Sequence, residues 1–263
     1  MAKTILITGA TDGIGLLTAQ KLAKAGHTML LHGRSEAKLA RATDMVGGTP
    51  TTYRADLSKM GDVVAMAEAL IRDHERIDVL INNAGILKAP QAKTEAGRDI
   101  RFDVNTLAPY ILTRALLPIM PKDGRVVNLS SAAQAPVDTG AMARFRPMGD
   151  MDAYAQSKLA ITVWTTALAK EMPDGPVFVA VNPGSLLASK MVKEGFGVAG
   201  NDLSIGADVL IRAATSDGFA EATGKYFDND SGRFASPHSA ANNPSHVRAI
   251  METLSDMAKP HQA

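Results

Sequence analysis

The chain of 263 residues is 46% hydrophobic and 21% charged, with 28 lysines and arginines against 27 aspartates and glutamates, for a formal net charge of +1. That is the composition of a globular protein, and a charge so close to zero, with no basic run, supplies no field to capture nucleic acid or an anionic membrane. There is no cysteine, which excludes disulfides, thiolate nucleophiles and thiolate-bound zinc and fits a cytoplasmic setting.

The amino terminus passes from Met1-Ala2-Lys3 straight into Thr4-Ile5-Leu6-Ile7, which reads as a core strand and not as a signal peptide. Further strand-like runs follow at Thr28-Met29-Leu30-Leu31-His32, Thr51-Thr52-Tyr53, Asp78-Val79-Leu80-Ile81, Arg125 to Leu129, Val177 to Val181 and Lys225-Tyr226-Phe227. Several are apolar at consecutive positions, as strands covered on both faces must be, and helix formers such as Leu16, Leu17, Ala19 and Leu22 fill the intervals. The alternation predicts a single doubly wound α/β domain of Rossmann type with a mostly parallel sheet of about seven strands. Its ligand belongs beyond the carboxyl ends of the strands, at the topological switch point. No apolar run reaches the ~20 residues that span a bilayer. The six histidines contain no HxxxH pair, so no metal site is expected.

After the first strand comes Thr8-Gly9-Ala10-Thr11-Asp12-Gly13-Ile14-Gly15 and then an apolar helix. Glycines there permit a tight turn, close approach of a pyrophosphate and close helix–strand packing, so the segment reads as a dinucleotide-binding turn. Tyr154 and Lys158 are four residues apart and would share one face of a helix, where an ammonium favours ionisation of a phenol. Gly33 is followed by Arg34 where NAD-selective domains place a carboxylate, and Ser35 starts the next helix; a guanidinium and a helix terminus there suit a 2′-phosphate. Asp12 opposes that preference by its charge.

The TGxxxGxG spacing, together with Asn82-Asn83-Ala84-Gly85, Asn105, Ser130-Ser131, Tyr154-Ala155-Gln156-Ser157-Lys158 and Asn182-Pro183-Gly184, resembles the classical short-chain dehydrogenase/reductase family. The Arg125 to Ser131 strand and Thr223-Gly224-Lys225-Tyr226-Phe227 resemble most its retinol-dehydrogenase-like subgroup. The resemblance covers nearly the whole chain and implies one domain over 1–263, with 1–130 mainly the cofactor half and 131–263 the catalytic and substrate half. It implies a catalytic tetrad: Tyr154 as general acid and base, Lys158 tuning it and holding the nicotinamide ribose, Ser131 bonding the substrate oxygen, and Asn105 stabilising a helix irregularity and a water.

It further implies cofactor contacts from Gly9, Thr11, Asp12, Gly13, Ile14 and Gly15, from Arg34 and Ser35, from Asp56 and Leu57 beside the adenine, and from Asn83, Ala84 and Gly85. Pro183, Gly184 and Ser189 would lie beside the nicotinamide. The implied activity is hydride transfer between NADP(H), favoured over NAD(H), and a small-molecule ketone or aldehyde or the corresponding alcohol, without a metal. A catalytically silent regulatory protein that senses the cofactor is the alternative, against which the complete tetrad argues. A nucleotide-sugar epimerase would want a longer carboxyl-terminal region.

Residues 132–153 form an unusually long gap between Ser131 and Tyr154, and Met142, Phe145, Met148 and Met151 within it suit either a bulky apolar substrate or ordinary packing. Met191, Val192 and Phe196 would close the pocket from the other side. Relatives of this kind are commonly homo-oligomers through the helices of Asn105 and Tyr154, which leaves Trp164 as interface or core. The segment after Gly232 reads as weakly ordered until a last amphipathic helix over Val247 to Met257, because Ser236-Pro237 and Asn243-Pro244 interrupt it.

Overall fold

The computed structural model describes residues 1–185, 187 and 200–261. Its strands are β1 (Thr4–Ile7), β2 (Thr28–Gly33), β3 (Thr51–Arg54), β4 (Val79–Asn82), β5 (Arg125–Leu129), β6 (Val177–Asn182), β7 (Lys225–Asp228) and β8 (Arg233–Ala235). They form one eight-stranded sheet in the order β3-β2-β1-β4-β5-β6-β7-β8. All neighbours are parallel except β7 and β8, which pair antiparallel. The order reverses between β1 and β4, so the crevice that receives a ligand in such a sheet opens beyond Ile7 and Asn82.

Period-two side-chain alternation explains the two faces. Leu6, Leu30, Leu80, Val126 and Phe178 point into one core, shared with helices α3 (Met60–Asp73), α5 (Ala108–Leu116) and α7 (Asp150–Glu171). Ile5, Ile7, Leu31, Ile81, Val127 and Val179 point into the other, shared with α1 (Gly13–Lys24), α2 (Glu36–Val46) and α8 (Leu203–Thr215). Between the strands runs a buried polar ladder. Asn82 Nδ2 donates to Asn128 Oδ1 at 2.8 Å and to Thr113 Oγ1 at 3.1 Å, and Asn128 Nδ2 donates to Thr165 Oγ1 at 2.8 Å. A buried amide needs such partners, and these fix α5 and α7 against β4 and β5.

The carboxyl-terminal region is more ordered than its sequence predicts. The eighth strand adds to the expected sheet because Phe234 stacks on Phe219 and Phe227 with ring centroids 5.2 Å from each. Asn243-Pro244 does not interrupt helix α9 (Pro244–Ala258) but begins it: the Asn243 carbonyl oxygen Oδ1 accepts from Ser245 N and His246 N, and Pro244 takes the first helical position. Ile250, Leu254 and Ala258 of α9 join the core beside α5 and α7. Trp164 is fully buried there and meets Tyr110 edge-on at 5.7 Å, so within this chain it is core. Residues 132–149 are likewise folded down, with Asp138 capping the short helix α6 (Thr139–Ala143) and Met142 fully buried, whereas Met151 stays exposed on the first turn of α7.

Candidate active site

The turn after β1 is shaped by close contacts at Gly9 and Gly15 and by a left-handed backbone at Gly9 and Gly13. Gly9 has φ +67°, and a Cβ on it would stand 3.0 Å from the Ala84 Cα. A Cβ on Gly15 would meet the Asn83 Nδ2 and the Gly9 carbonyl oxygen at 2.4 Å each. Gly13, at φ +54°, has nothing within 4 Å on that side, which leaves an open cradle at the amino terminus of α1. The positive end of the helix dipole faces that space, and a pyrophosphate suits it. Asp12 is exposed, and its carboxylate accepts from Gly13 N at 2.8 Å, capping α1.

The turn is tied to its neighbours on both sides. Asn83 Nδ2 donates to the carbonyl oxygens of Thr8 and Gly9 at 2.9 and 3.1 Å, and Ala84 N donates to Thr8 Oγ1 at 3.1 Å. On the β2 side, a Cβ on Gly33 would lie 2.5 Å from the Thr11 methyl, so a side chain there would push Thr11 out of the turn. Arg34 is exposed beside it and Ser35 caps α2 by accepting from Lys38 N. Asp56 holds a tight turn after β3, its Oδ1 accepting from Ser58 N and Ser58 Oγ at 3.0 and 2.8 Å, and Leu57 is buried.

The catalytic candidates converge on the far side of the crevice. Lys158, buried on α7, extends Nζ to the Leu129 carbonyl oxygen at 2.7 Å and lies 5.6 Å from the centre of the Tyr154 ring. Tyr154 is half-buried, and Ser131 closes the β5 exit nearby, its hydroxyl oxygen accepting from Ala133 N at 3.1 Å. Ser130, by contrast, points into the core and bonds Thr162 Oγ1 and the Lys158 carbonyl oxygen. Asn105 sits in a π-helical turn, Asp103–Leu107, between α4 (Ile100–Phe102) and α5. Its side chain accepts from Ile86 N at 2.8 Å and donates to the Ile86 carbonyl oxygen and Ser157 Oγ at 2.9 and 3.0 Å, which holds the strand β4 exit against α7. A Cβ on Gly85 would lie 3.4 Å from both Asn105 Oδ1 and Lys158 Nζ, so the loop after β4 joins the two halves of the site.

The electrostatics differ from the sequence expectation. Four-residue spacing predicts a phenol lowered by the lysine, but burial pushes the Tyr154 phenol up, and the Ser131 hydroxyl offsets this only in part. Burial also pulls the Lys158 ammonium down, to about 8. Its proton is directed at the Leu129 carbonyl, and desolvation sets the direction of both shifts.

Pro183 and Gly184 form the turn after β6, gripped by the β7–β8 connection. Asn229 Nδ2 donates to the Pro183 carbonyl oxygen at 3.0 Å, and Asp230 accepts from Ser185 N and Ser185 Oγ at 2.8 and 2.6 Å. Asn182 Nδ2 donates to both Asp228 and Asp230 at 2.8 Å. Ser189, Met191, Val192 and Phe196 lie outside the described residues. Three supports escaped sequence reasoning: Asp230, the Tyr226 hydroxyl that donates to the Ser131 carbonyl oxygen at 3.0 Å, and His32 beneath the glycine turn. The Asp228 to Gly232 stretch signals a turn in the sequence but not what the turn holds. Among the described residues no cluster of three metal-ligating side chains occurs and no helix is long and apolar enough to cross a membrane.

The sequence profile of the short chain dehydrogenase family matches residues 3–196. Human retinol dehydrogenase 13 is 31% identical over 253 residues, which covers 86% of this chain and 76% of that protein. Two solved structures share the architecture. A 3-ketoacyl-(acyl-carrier-protein) reductase from Brucella melitensis, complexed with NADH, superposes with a TM-score of 0.68 at 27% identity, covering 86% of this chain and 96% of that one. A short chain dehydrogenase from Escherichia coli, complexed with NADPH, does so with a TM-score of 0.69 at 28% identity over the same shares.

Proposed function

We propose that this chain, which belongs to the short-chain dehydrogenase family in its retinol-dehydrogenase-like subgroup, interconverts a small-molecule ketone or aldehyde with its alcohol at the expense of NADP(H). The observation that carries the reading is the meeting of Asn105 and Lys158 at Gly85, with Tyr154 and Ser131 beside them and the glycine cradle across the crevice. A nicotinamide bound there would give or take the hydride. Tyr154 transfers the phenolic proton to the carbonyl oxygen in reduction and takes it back in oxidation. Ser131 donates a hydrogen bond to that oxygen as charge develops, its own position supported by Tyr226 and by Gln134 Nε2, which donates to the Ser131 carbonyl oxygen at 2.9 Å. Lys158 presents a cation 5.6 Å from the phenol ring, and Asn105 keeps the π turn open beside it.

NADP(H) is favoured because Arg34 and the capped start of α2 present positive charge where a 2′-phosphate would lie, while Asp12 directs its carboxylate to its own helix. The proposed division leaves residues 1–130 mainly to the cofactor and 131–263 to catalysis and substrate, with Ser189 beside the nicotinamide. An apolar substrate body is supported by the likeness to the human retinol dehydrogenase. The absence of cysteine fits cytoplasmic residence. A homo-oligomer formed through the helices of Asn105 and Tyr154 belongs to the same reading.

The test is oxidation of NADPH and of NADH by the purified protein over aliphatic, aromatic and steroid-sized carbonyls. Alcohol formed in step with NADPH consumed is the expected result. A protein that binds NADPH yet turns over none of the panel would instead be read as a cofactor sensor.

A further inference from the structure

His32 ends the apolar run of β2, and its ring is 2% exposed, beneath the glycine-rich turn. A buried imidazole must satisfy both nitrogens. Gly9 N donates to Nδ1 at 3.1 Å, and Nε2 lies 3.1 Å from the Ala55 carbonyl oxygen. The partners fix the tautomer. Gly9 N offers only a donor and Ala55 O only an acceptor, so Nδ1 is bare and Nε2 carries the proton. Desolvation holds the ring's pKa down at about 4, consistent with a neutral imidazole; Asp56 pulls in the other direction and Arg34 in the same one.

The two ring contacts join the segments that follow β1 and β3, the two strands paired with β2 on either side, at the point where strand pairing ends. Gly9 is a left-handed residue of the phosphate turn, and Ala55 immediately precedes Asp56 at the end of β3. The backbone reinforces the link, with Ala10 N donating to the His32 carbonyl oxygen at 2.9 Å and Ala55 N to that of Gly33 at 3.2 Å. We propose that His32 is a positioning residue for the adenosine diphosphate half of the cofactor, its ring setting the distance between the phosphate-binding turn and the adenine-side segment at Ala55–Asp56. This rests on the reading that the crevice binds NADP(H).

Two nearly isosteric variants separate the two contacts. In His32→Asn the amide oxygen can stand where Nδ1 stood and still accept from Gly9 N, whereas His32→Gln places its amide nitrogen toward Ala55 and leaves Gly9 N without its acceptor. Equilibrium binding of NADPH and of 2′,5′-ADP, which carries only the adenosine half, should weaken about tenfold in each variant, the scale of one hydrogen bond, because each severs one end of the spacer. Turnover at saturating NADPH should change less than about twofold in both. Without any nucleotide, the Gly9 to Thr11 amides should exchange hydrogen faster in His32→Gln than in His32→Asn. Equal binding by both variants and the parent overturns the proposal, as does equal weakening accompanied by equal loss of turnover, which is what a general packing role would give. A parent protein that binds neither nucleotide overturns the cofactor reading and the proposal with it, whereas tight parent binding unchanged in either variant overturns the proposal alone.

Discussion

Lys158 Nζ and the Leu129 carbonyl oxygen lie 2.7 Å apart across the seam between α7 and β5, in a position that removes an ammonium group from water. Burial lowers its pKa from 10.5 to about 8, so between those values the unfolded chain binds a proton that the folded one does not. Stability therefore rises with pH across that window, and below it the full cost of burying the charge is present, on the order of 3 kcal/mol. Lys158→Met should consequently be more stable than the parent at pH 7, by about 1–3 kcal/mol, since the lost bond to Leu129 offsets part of the gain. The same variant should lose activity by about a hundredfold or more. Urea unfolding at pH 7 and at pH 10 checks the sign: the difference between variant and parent should shrink at the higher pH.

Cofactor choice turns on Arg34, exposed between Gly33 and the Ser35 cap. Arg34→Ala should raise the KM for NADPH about 10- to 100-fold and leave that for NADH within about twofold, because only the 2′-phosphate exploits paired charge-assisted hydrogen bonds. Steady-state kinetics with both cofactors decide it, and an equal loss with each would place Arg34 outside the phosphate site.

The segment that leads into the π turn is anchored by Arg101, whose side chain is 1% exposed and pairs with the fully buried Asp99 at 2.6 Å. It also reaches Asp150 on the first turn of the Tyr154 helix. Arg101→Met leaves Asp99 buried without its cation, and unfolding free energy should fall by about 3–5 kcal/mol. The double variant Asp99→Asn, Arg101→Met should recover part of that loss, because the uncompensated charge is gone. Denaturant titration of the three proteins distinguishes a buried-charge penalty from lost packing.

Much of this was legible in the sequence because local rules and tertiary demands agree. Consecutive apolar residues in β1, β4 and β5 mark strands buried on both faces, and Gly9, Gly13 and Gly15 mark a turn whose geometry excludes side chains. Tyr154 and Lys158 share a helix face by spacing alone. What stayed hidden depends on partners distant in the chain. His32 reads as one more residue of an apolar run until Gly9 and Ala55 are seen at its two nitrogens. The order of the carboxyl-terminal region depends on Phe234 finding Phe219 and on Asn243-Pro244 serving as a cap, which a rule about breakers reads backwards. The raised Tyr154 phenol depends on how much water the fold excludes, a quantity that spacing does not contain.

The central claim is that the Tyr154 phenol carries the proton, and Tyr154→Phe tests it by removing one oxygen from an otherwise intact site. With NADPH and the best carbonyl substrate, turnover should fall at least about a thousandfold, within the range that positioned proton transfer supplies, while the dissociation constant for NADPH stays within about threefold of the parent. Turnover within about tenfold of the parent, with binding retained, would contradict the account and move the proton to another group.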